Sequence, residues 1–343
     1  NSCIILYKQF CNKNSLFKKG SVLMASYLLK RIGLMIITFI ITVFLFFVFI
    51  KLMPNNKPSL DDPILFERLA EREGWNEPII VQFGLWVKNI FTEGSFGFSI
   101  NKKEDVGAYY FSKIPASVQI NLIPYILSVP IAIGLGVLAA LNKNTWIDNV
   151  ISVGIMIFIS IPYFVVVVIV QYVFYFKLHW VPDYVVATST DFSNNFWWAL
   201  STFIMPVTVL TIVGVPGLAR SIRAELTEQL TQDYMLLARS KGLTKRQATY
   251  RHALKNALVP YLPGIFIGII GVINGGLITE KLFRVDGTGR IYLDAFQSIP
   301  PDYSMLMLIT AFGQFVGLLS SIVGDISYTF IDPRVRIGSG KIS

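Results

Sequence analysis

The chain alternates long uncharged stretches with shorter polar ones. Six apolar segments, Ile32 to Met53, Ala116 to Leu141, Val150 to Phe176, Phe196 to Ala219, Ala257 to Thr279 and Met305 to Phe330, each reach the roughly 20 residues a helix needs to cross a bilayer. Within them only Lys51, near an end, and Asp325 carry charge. A segment crossing lipid must satisfy its own backbone, and a helix does so, so each is predicted to be a transmembrane helix. Between the first two, residues 54–115 form a polar stretch. Amphipathic patterns at Ile64 to Glu73 and Ile79 to Ile90, punctuated by glycine and proline, predict a small folded cap there.

Prolines fall inside several segments, at Pro124, Pro130, Pro162, Pro206, Pro216, Pro260 and Pro263. Each removes a backbone donor and bends its helix, either around a pathway or as an ordinary kink. Gly264, Gly268, Gly271 and Gly275 recur at spacings of four, three and four, and Gly313, Gly317, Ser320 and Gly324 repeat the pattern. That spacing puts each set on one helix face, where missing side chains let helices pack closely.

Of 343 residues 53% are hydrophobic and only 15% charged, well below the charge content of a soluble domain. The net charge is +9. With both termini on the inner side, that side collects most of the lysine and arginine, including the group between Arg220 and Lys255, and the outer side is left acidic. The positive-inside rule therefore places both termini and residues 220–256 in the cytoplasm. Basic charge along the membrane edge argues against nucleic acid and for lipid headgroups. Residues 1–23, ahead of an internal Met24, are set aside as an extension. The expected organisation is a first span over 24–53, an external loop domain over 54–115, a transmembrane core over 116–330 that includes the cytoplasmic loop 220–256, and a tail over 331–343.

Candidate chemistry is sparse. Cys3 and Cys11 provide neither a disulfide framework nor a metal site, and His179 and His252 stand alone in separate loops. "GSGKIS" at 338–343 fails as a phosphate loop, since Ile342 stands where a magnesium-binding hydroxyl is needed. Asp325 reads as a structural residue more than a proton carrier. No catalytic, cofactor or metal residues emerge, which leaves a channel or one part of a machine powered elsewhere.

The polar segment "DYMLLARSKGLTKRQATYRHALKNALVP", residues 233–260, is the most informative. Asp233 is expected to cap a helix from Tyr234 to Lys241, Gly242 to end it in a left-handed conformation, and Thr244 with Gln247 to start a second through a capping box. Tyr234, Met235, Leu236, Leu237 and Ala238 beside Arg239 and Lys241 give the first helix an apolar surface that needs a cover. Lipid headgroups or a groove on a soluble partner would serve.

This segment resembles the cytoplasmic EAA-type loop of ABC importer permeases, in the form found in oligopeptide and dipeptide transporters. "ARSKGL", "RHALKNALVP", the terminal "DPRVR", and the outer "NEPIIVQFGLWVKNIFTEGSFGFS" and "ITEKLFRVDGTGR" share in the resemblance, which runs from Met24 onward and is strongest to the first of the two permease subunits. Leu236 stands where the general importer motif begins with Glu, and the spacing from Gly242 to Pro260 is long, as in peptide-type permeases. "QSIPPDYSM" before the last span is slightly longer than usual. The resemblance implies an all-α, six-span, type I (MetI-like) permease of a bacterial cell membrane, in which Asp233, Tyr234, Leu237, Ala238, Arg239, Ser240, Lys241, Gly242, Leu243 and Thr244 form or flank a coupling helix. It also implies two cytoplasmic ATPase subunits that hydrolyse ATP with Mg, a second permease and an extracytoplasmic peptide-binding protein, with no cofactor on this chain. The same machine carrying nickel or another chelate, and a stand-alone channel, are the competing readings.

Overall fold

The computed structural model of the chain describes residues 29–53, 63–99, 101–183 and 185–331. Cys3, Cys11, the extension over 1–23, "DPRVR" and "GSGKIS" lie outside the described residues. Helix α1, Leu29–Leu52, is followed by α2, Pro63–Glu73, and α3, Ile79–Glu93. A hairpin of two-residue strands, β1 at Phe98–Ser99 and β2 at Glu104–Asp105, pairs antiparallel and leads into α4, Val106–Leu141. Asp105 caps α4 by accepting from the amides of Gly107 and Ala108. Next come α5, Trp146–Ser160, and α6, Tyr163–Val170, which continues as a π-helix to Lys177. The short α7, Ser189–Asn194, and α8, Phe196–Thr202, precede the long α9, Ile204–Gln229. Beyond it lie α10, Asp233–Ser240, α11, Lys245–Ala248, α12, Leu254–Leu258, and α13, Leu262–Gly271. The chain closes with α14, Leu277–Leu282, α15, Thr288–Gln297, and α16, Tyr303–Ile331.

Among the described residues, four helices are long and apolar enough to cross a membrane: α1, α4, Phe196–Gln229 and α16. Two bent pairs raise the number to as many as six. One pair is Trp146–Ser160 with Tyr163–Lys177, bent by 97°, and the other is Lys245–Leu258 with Leu262–Asn274, bent by 54°. The expected continuous segment from Val150 to Phe176 is thus broken. Ile161 sits before Pro162 with ψ 124°, in the extended geometry that a following proline favours. Near Pro260 the chain turns again, and Gly275, at φ +71°, ends the helical run before Thr279. Pro115, Pro124, Pro130 and Pro216 lie within helices that run on.

The principal helix pair is α4 against α9. Ala132, Ala139 and Ala219 are fully buried, and a Cβ on Gly136 would lie 2.8 Å from the Ala219 carbonyl oxygen and 3.0 Å from Ile222. Small side chains let these two backbones touch, which is how helices gain contact in lipid, where burial from water gives no help. At the other end, α1, α3, α4, α15 and α16 share one cluster built on Phe47, Tyr110, Met305 and Leu308. The Phe83 ring of α3 meets Phe44 and Phe47 of α1 edge-on at 5.1 and 5.4 Å. Asp302, ahead of α16, accepts from Ser99 Oγ at 2.5 Å and from the Met305 amide, tying the hairpin to the last helix. Arg31 and Asp325 pair at 2.6 Å, joining the far ends of α1 and α16.

The two glycine stripes are used unevenly. A Cβ at Gly268 would fall on the Tyr125 hydroxyl, and the gap lets that hydroxyl donate to the Ile265 carbonyl at 2.8 Å. A Cβ at Gly324 would lie 2.7 Å from Ile267, within the α13 to α16 contact. Among the described residues a Cβ added at Gly264, Gly271 or Gly317 would meet no other side chain or helix within 4 Å, and one at Gly313 would meet only Asn274 Oδ1, at 3.9 Å. Gly275 stands outside the helix, so it does not share the face that spacing alone assigned to it.

Gly136→Val should force α4 and α9 apart at a cost of about 1–3 kcal/mol. Gly134→Ala, on the same helix with no neighbour within 4 Å, should be nearly neutral. Thermal unfolding of the two variants in detergent checks the pair; equal midpoints would contradict the close approach.

Candidate functional site

Helix α10 and the turn after it project from the end of the bundle where α9 and α4 finish. The helix opens one residue earlier than its sequence suggests. Gln232, at ψ 150°, is the capping residue, with no side-chain bond, and Asp233 occupies the first helical position. There its carboxylate still meets the positive end of the helix dipole. At the far end Gly242 adopts φ +88°. Its amide donates to the Arg239 carbonyl at 3.0 Å and the Leu243 amide to Ala238 at 3.3 Å, the paired bonds of a Schellman turn. The Thr244 side chain then accepts from the Gln247 amide, and Gln247 Oε1 accepts from the Thr244 amide, so α11 starts on a closed capping box.

The apolar residues of α10 divide by helical rotation. Met235 and Ala238 are buried in a cluster with Val137 and Ala140 of α4, Ile222 and Leu226 of α9, and Ala248, Ala253 and Ala257. Tyr234 is half-buried and donates its hydroxyl to Gln229 at 2.7 Å, while Gln229 donates to Glu225 at 2.9 Å. Leu236 and Leu237 turn outward at 64% and 57% exposure. Arg239, Ser240, Lys241, Gly242 and Thr244 are exposed with them, and Leu243 is half-buried. Of the ten residues expected to couple, Ala238 therefore faces the chain's own core and Tyr234 leans inward. Leu236, absent from that set, belongs to the outer surface. Leu236, Arg239, Ser240, Gly242, Leu243, Thr244 and Lys245 line a shallow concavity.

A brace missed by sequence reading supports this end. Asp148, 2% exposed at the start of α5, receives Arg223 of α9 through Nε at 2.5 Å and a second nitrogen at 2.7 Å. The Asn144 amide and Ser152 hydroxyl complete its shell. A bidentate pair of this kind fixes both distance and angle between helices. The sequence offered one weak signal, an aspartate in the first turn of an apolar segment.

A second node lies in the "ITEKLFRVDGTGR" stretch. Glu280 of α14 is fully buried. Its Oε2 accepts from the amides of Gly289 and Arg290, in the first turn of α15, at 2.8 and 3.1 Å. Its Oε1 accepts from the Gly276 amide at 3.0 Å and from Asn121 of α4 at 3.4 Å. A carboxylate thus caps a helix amino end and bridges a break in the chain. Ser117 of α4 extends the node by accepting from the Thr288 amide at 2.7 Å. Cβ atoms at Gly275 and Gly287 would collide with Glu280, and one at Gly289 with the Leu277 backbone, which explains the glycines. The spacing of Glu280 from Gly287 and Gly289 was the available signal.

A bundle of membrane-length helices with a braced polar helix pair at one end defines the class as a polytopic membrane protein. Residues 132–337 match the family described as "binding-protein-dependent transport system inner membrane component". The chain belongs to this family. It is 31% identical to a dipeptide transport system permease protein, DppB, of Lactococcus lactis, over 92% of this chain and all of that protein. An oligopeptide transport system permease protein, AppB, of Bacillus subtilis is 31% identical over 91% of this chain and all of its own. The oligopeptide transport system permease protein OppB of Mycoplasma genitalium is 30% identical over 93% of this chain and 78% of its own.

Arg223→Ala should leave the buried Asp148 carboxylate without its cation. Because Arg223 is one-third exposed, the expected loss is near the lower end of about 3–5 kcal/mol. Denaturation of the purified protein measures it. A further Asp148→Ala in the same chain should recover part of the loss; a loss in the double variant equal to the sum of the two single losses would show that the two side chains act independently.

Proposed function

We propose that the chain is one permease subunit of an ATP-driven importer of short peptides. The reading is carried by α10, which is pinned from within by Met235, Ala238 and Tyr234 and offers Leu236, Leu237, Arg239 and Lys241 outward. A helix held this firmly transmits a push along α9 instead of absorbing it. In this reading two cytoplasmic ATPase subunits, which bind and hydrolyse ATP with Mg, receive that outer surface in a groove. Asp233 and the stretch from Leu237 to Thr244 belong to the coupling element, with Ala238 and Tyr234 positioning it from behind. A second permease completes the pathway, and an extracytoplasmic binding protein delivers the peptide.

Both bent pairs count as single spans here, giving six, with both termini in the cytoplasm, as the basic residues of 220–256 favour. The segment between α1 and α4 then lies outside. Peptide is preferred to nickel as cargo because relatives covered end to end carry dipeptide and oligopeptide names. No residue of this chain is assigned a cofactor, and energy comes from the partner subunits.

Gly242→Val puts a β-branched residue at φ +88°, a strained position. The Schellman turn should open, the ATPase subunits should no longer co-purify, and ATP-dependent uptake should fall about tenfold or more, as expected from losing a coupling contact of about 1.4 kcal/mol or greater. Unchanged assembly and uptake, or uphill accumulation by this chain alone in liposomes, would overturn the reading. In proteoliposomes of the whole complex, labelled di- to pentapeptides should be taken up and labelled nickel should not; the reverse result would transfer the cargo to a chelate.

A further inference from the structure

The inference rests on the importer reading and gives its pathway a contact point. Asn274 closes the short 3-10 turn, Val272–Asn274, with which α13 ends, and Gly275 turns away at φ +71°. The Asn274 side chain is exposed although it lies in an apolar run. It has no hydrogen-bond partner among the described residues. Its Oδ1 lies 3.9 Å from where a Cβ on Gly313 would sit, so the α16 stripe leaves it room. Gln314, next along α16, is half-buried and likewise has no partner among the described residues. On the other side, a Cβ at Gly276 would stand 3.0 Å from Asn121 Oδ1, which continues a polar strip toward α4.

An unpaired carboxamide is costly away from water, and a broken helix at membrane depth is tolerated where it is buried in protein or lines a wet cavity. Asn274 is exposed at such a break, which favours the wet side of the choice. The carbonyl end of α13 and its turn points to the same place and carries partial negative charge. A carboxamide offers one donor group and one acceptor, which is also what a peptide bond offers, and it recognises neither side-chain size nor charge. We propose that Asn274, at the break before Gly275 and Gly276, together with Gln314 on the neighbouring α16, forms a subsite that reads the backbone amides of the transported peptide. Such a contact orients the cargo without selecting its sequence, leaving selection to other parts of the assembly.

The test uses the complete transporter in proteoliposomes, with Cys3→Ser and Cys11→Ser to remove the native thiols. An Asn274→Cys thiol is expected to react with a hydrophilic maleimide and to be shielded by a transported tripeptide. Asn274→Leu and Gln314→Leu should each raise the KM for tripeptide uptake about tenfold, with a smaller loss in maximal rate. A tripeptide methylated on its central amide nitrogen should lose affinity in the parent protein and lose no more in the Leu variants. Reaction of the thiol with a lipid-soluble maleimide only would place Asn274 against lipid and overturn the subsite, as would parental KM values in both Leu variants. If those variants fail to fold, the thiol reaction decides alone. Absence of ATP-dependent peptide uptake by the parent complex would instead remove the importer reading and the subsite with it, and is recognised because no substitution is involved.

Discussion

Wherever an apolar helix stops short of water, its unpaired amides and carbonyls need partners, and most of this architecture follows from how that demand is met. Glu280 meets it for the chain beyond the fifth apolar segment. One carboxylate takes the amides of Gly276, Gly289 and Arg290, so a break, a short helix and the start of α15 become one unit against α4. Without a buried anion there, several donors would be desolvated together. The glycines at 275, 287 and 289 are the steric condition for placing that carboxylate inside.

The opposite end is organised by packing and one ion pair. Alanines and glycine at the α4 to α9 contact set the helices close, Arg223 fixes α9 against the start of α5, and α10 is pressed onto α4 and α9 by Met235 and Ala238. These contacts make α10 continuous in mechanical terms with the apolar bundle. Between the two ends, α13 has no buried residue and lies between the bend at Pro260 and the turn at Gly275. It is held by close packing against α16 at Gly324 and by the Tyr125 hydroxyl on the Ile265 carbonyl.

The local grammar of the 233–247 segment was readable because its determinants lie within a few residues of each other. A left-handed glycine and a threonine with glutamine three positions on specify their turns without help from the rest of the chain. Rotation around α10 was not readable in that way. Five apolar residues in a row satisfy several orientations, and only the position of Ile222 and Leu226 on α9 turned Met235 and Ala238 inward and left Leu236 outside. The same limit applied to the glycine stripes, whose spacing names a face but not a neighbour.

By itself the sequence determined that the chain is a set of membrane-length helices with a capped polar helix pair near one end, since apolar length, charge and capping act along the chain. Tertiary structure decided which prolines break a helix, which acid is buried, and which amides are left without partners. Pro162 interrupts its segment while Pro124 and Pro216 do not, and Glu280 sits among backbone amides while Asp294 stays at the surface paired with Lys281. Those outcomes depend on residues more than a hundred positions apart coming within hydrogen-bond reach, as Asn121 and Glu280 do, and short-range pattern carries no record of such distances.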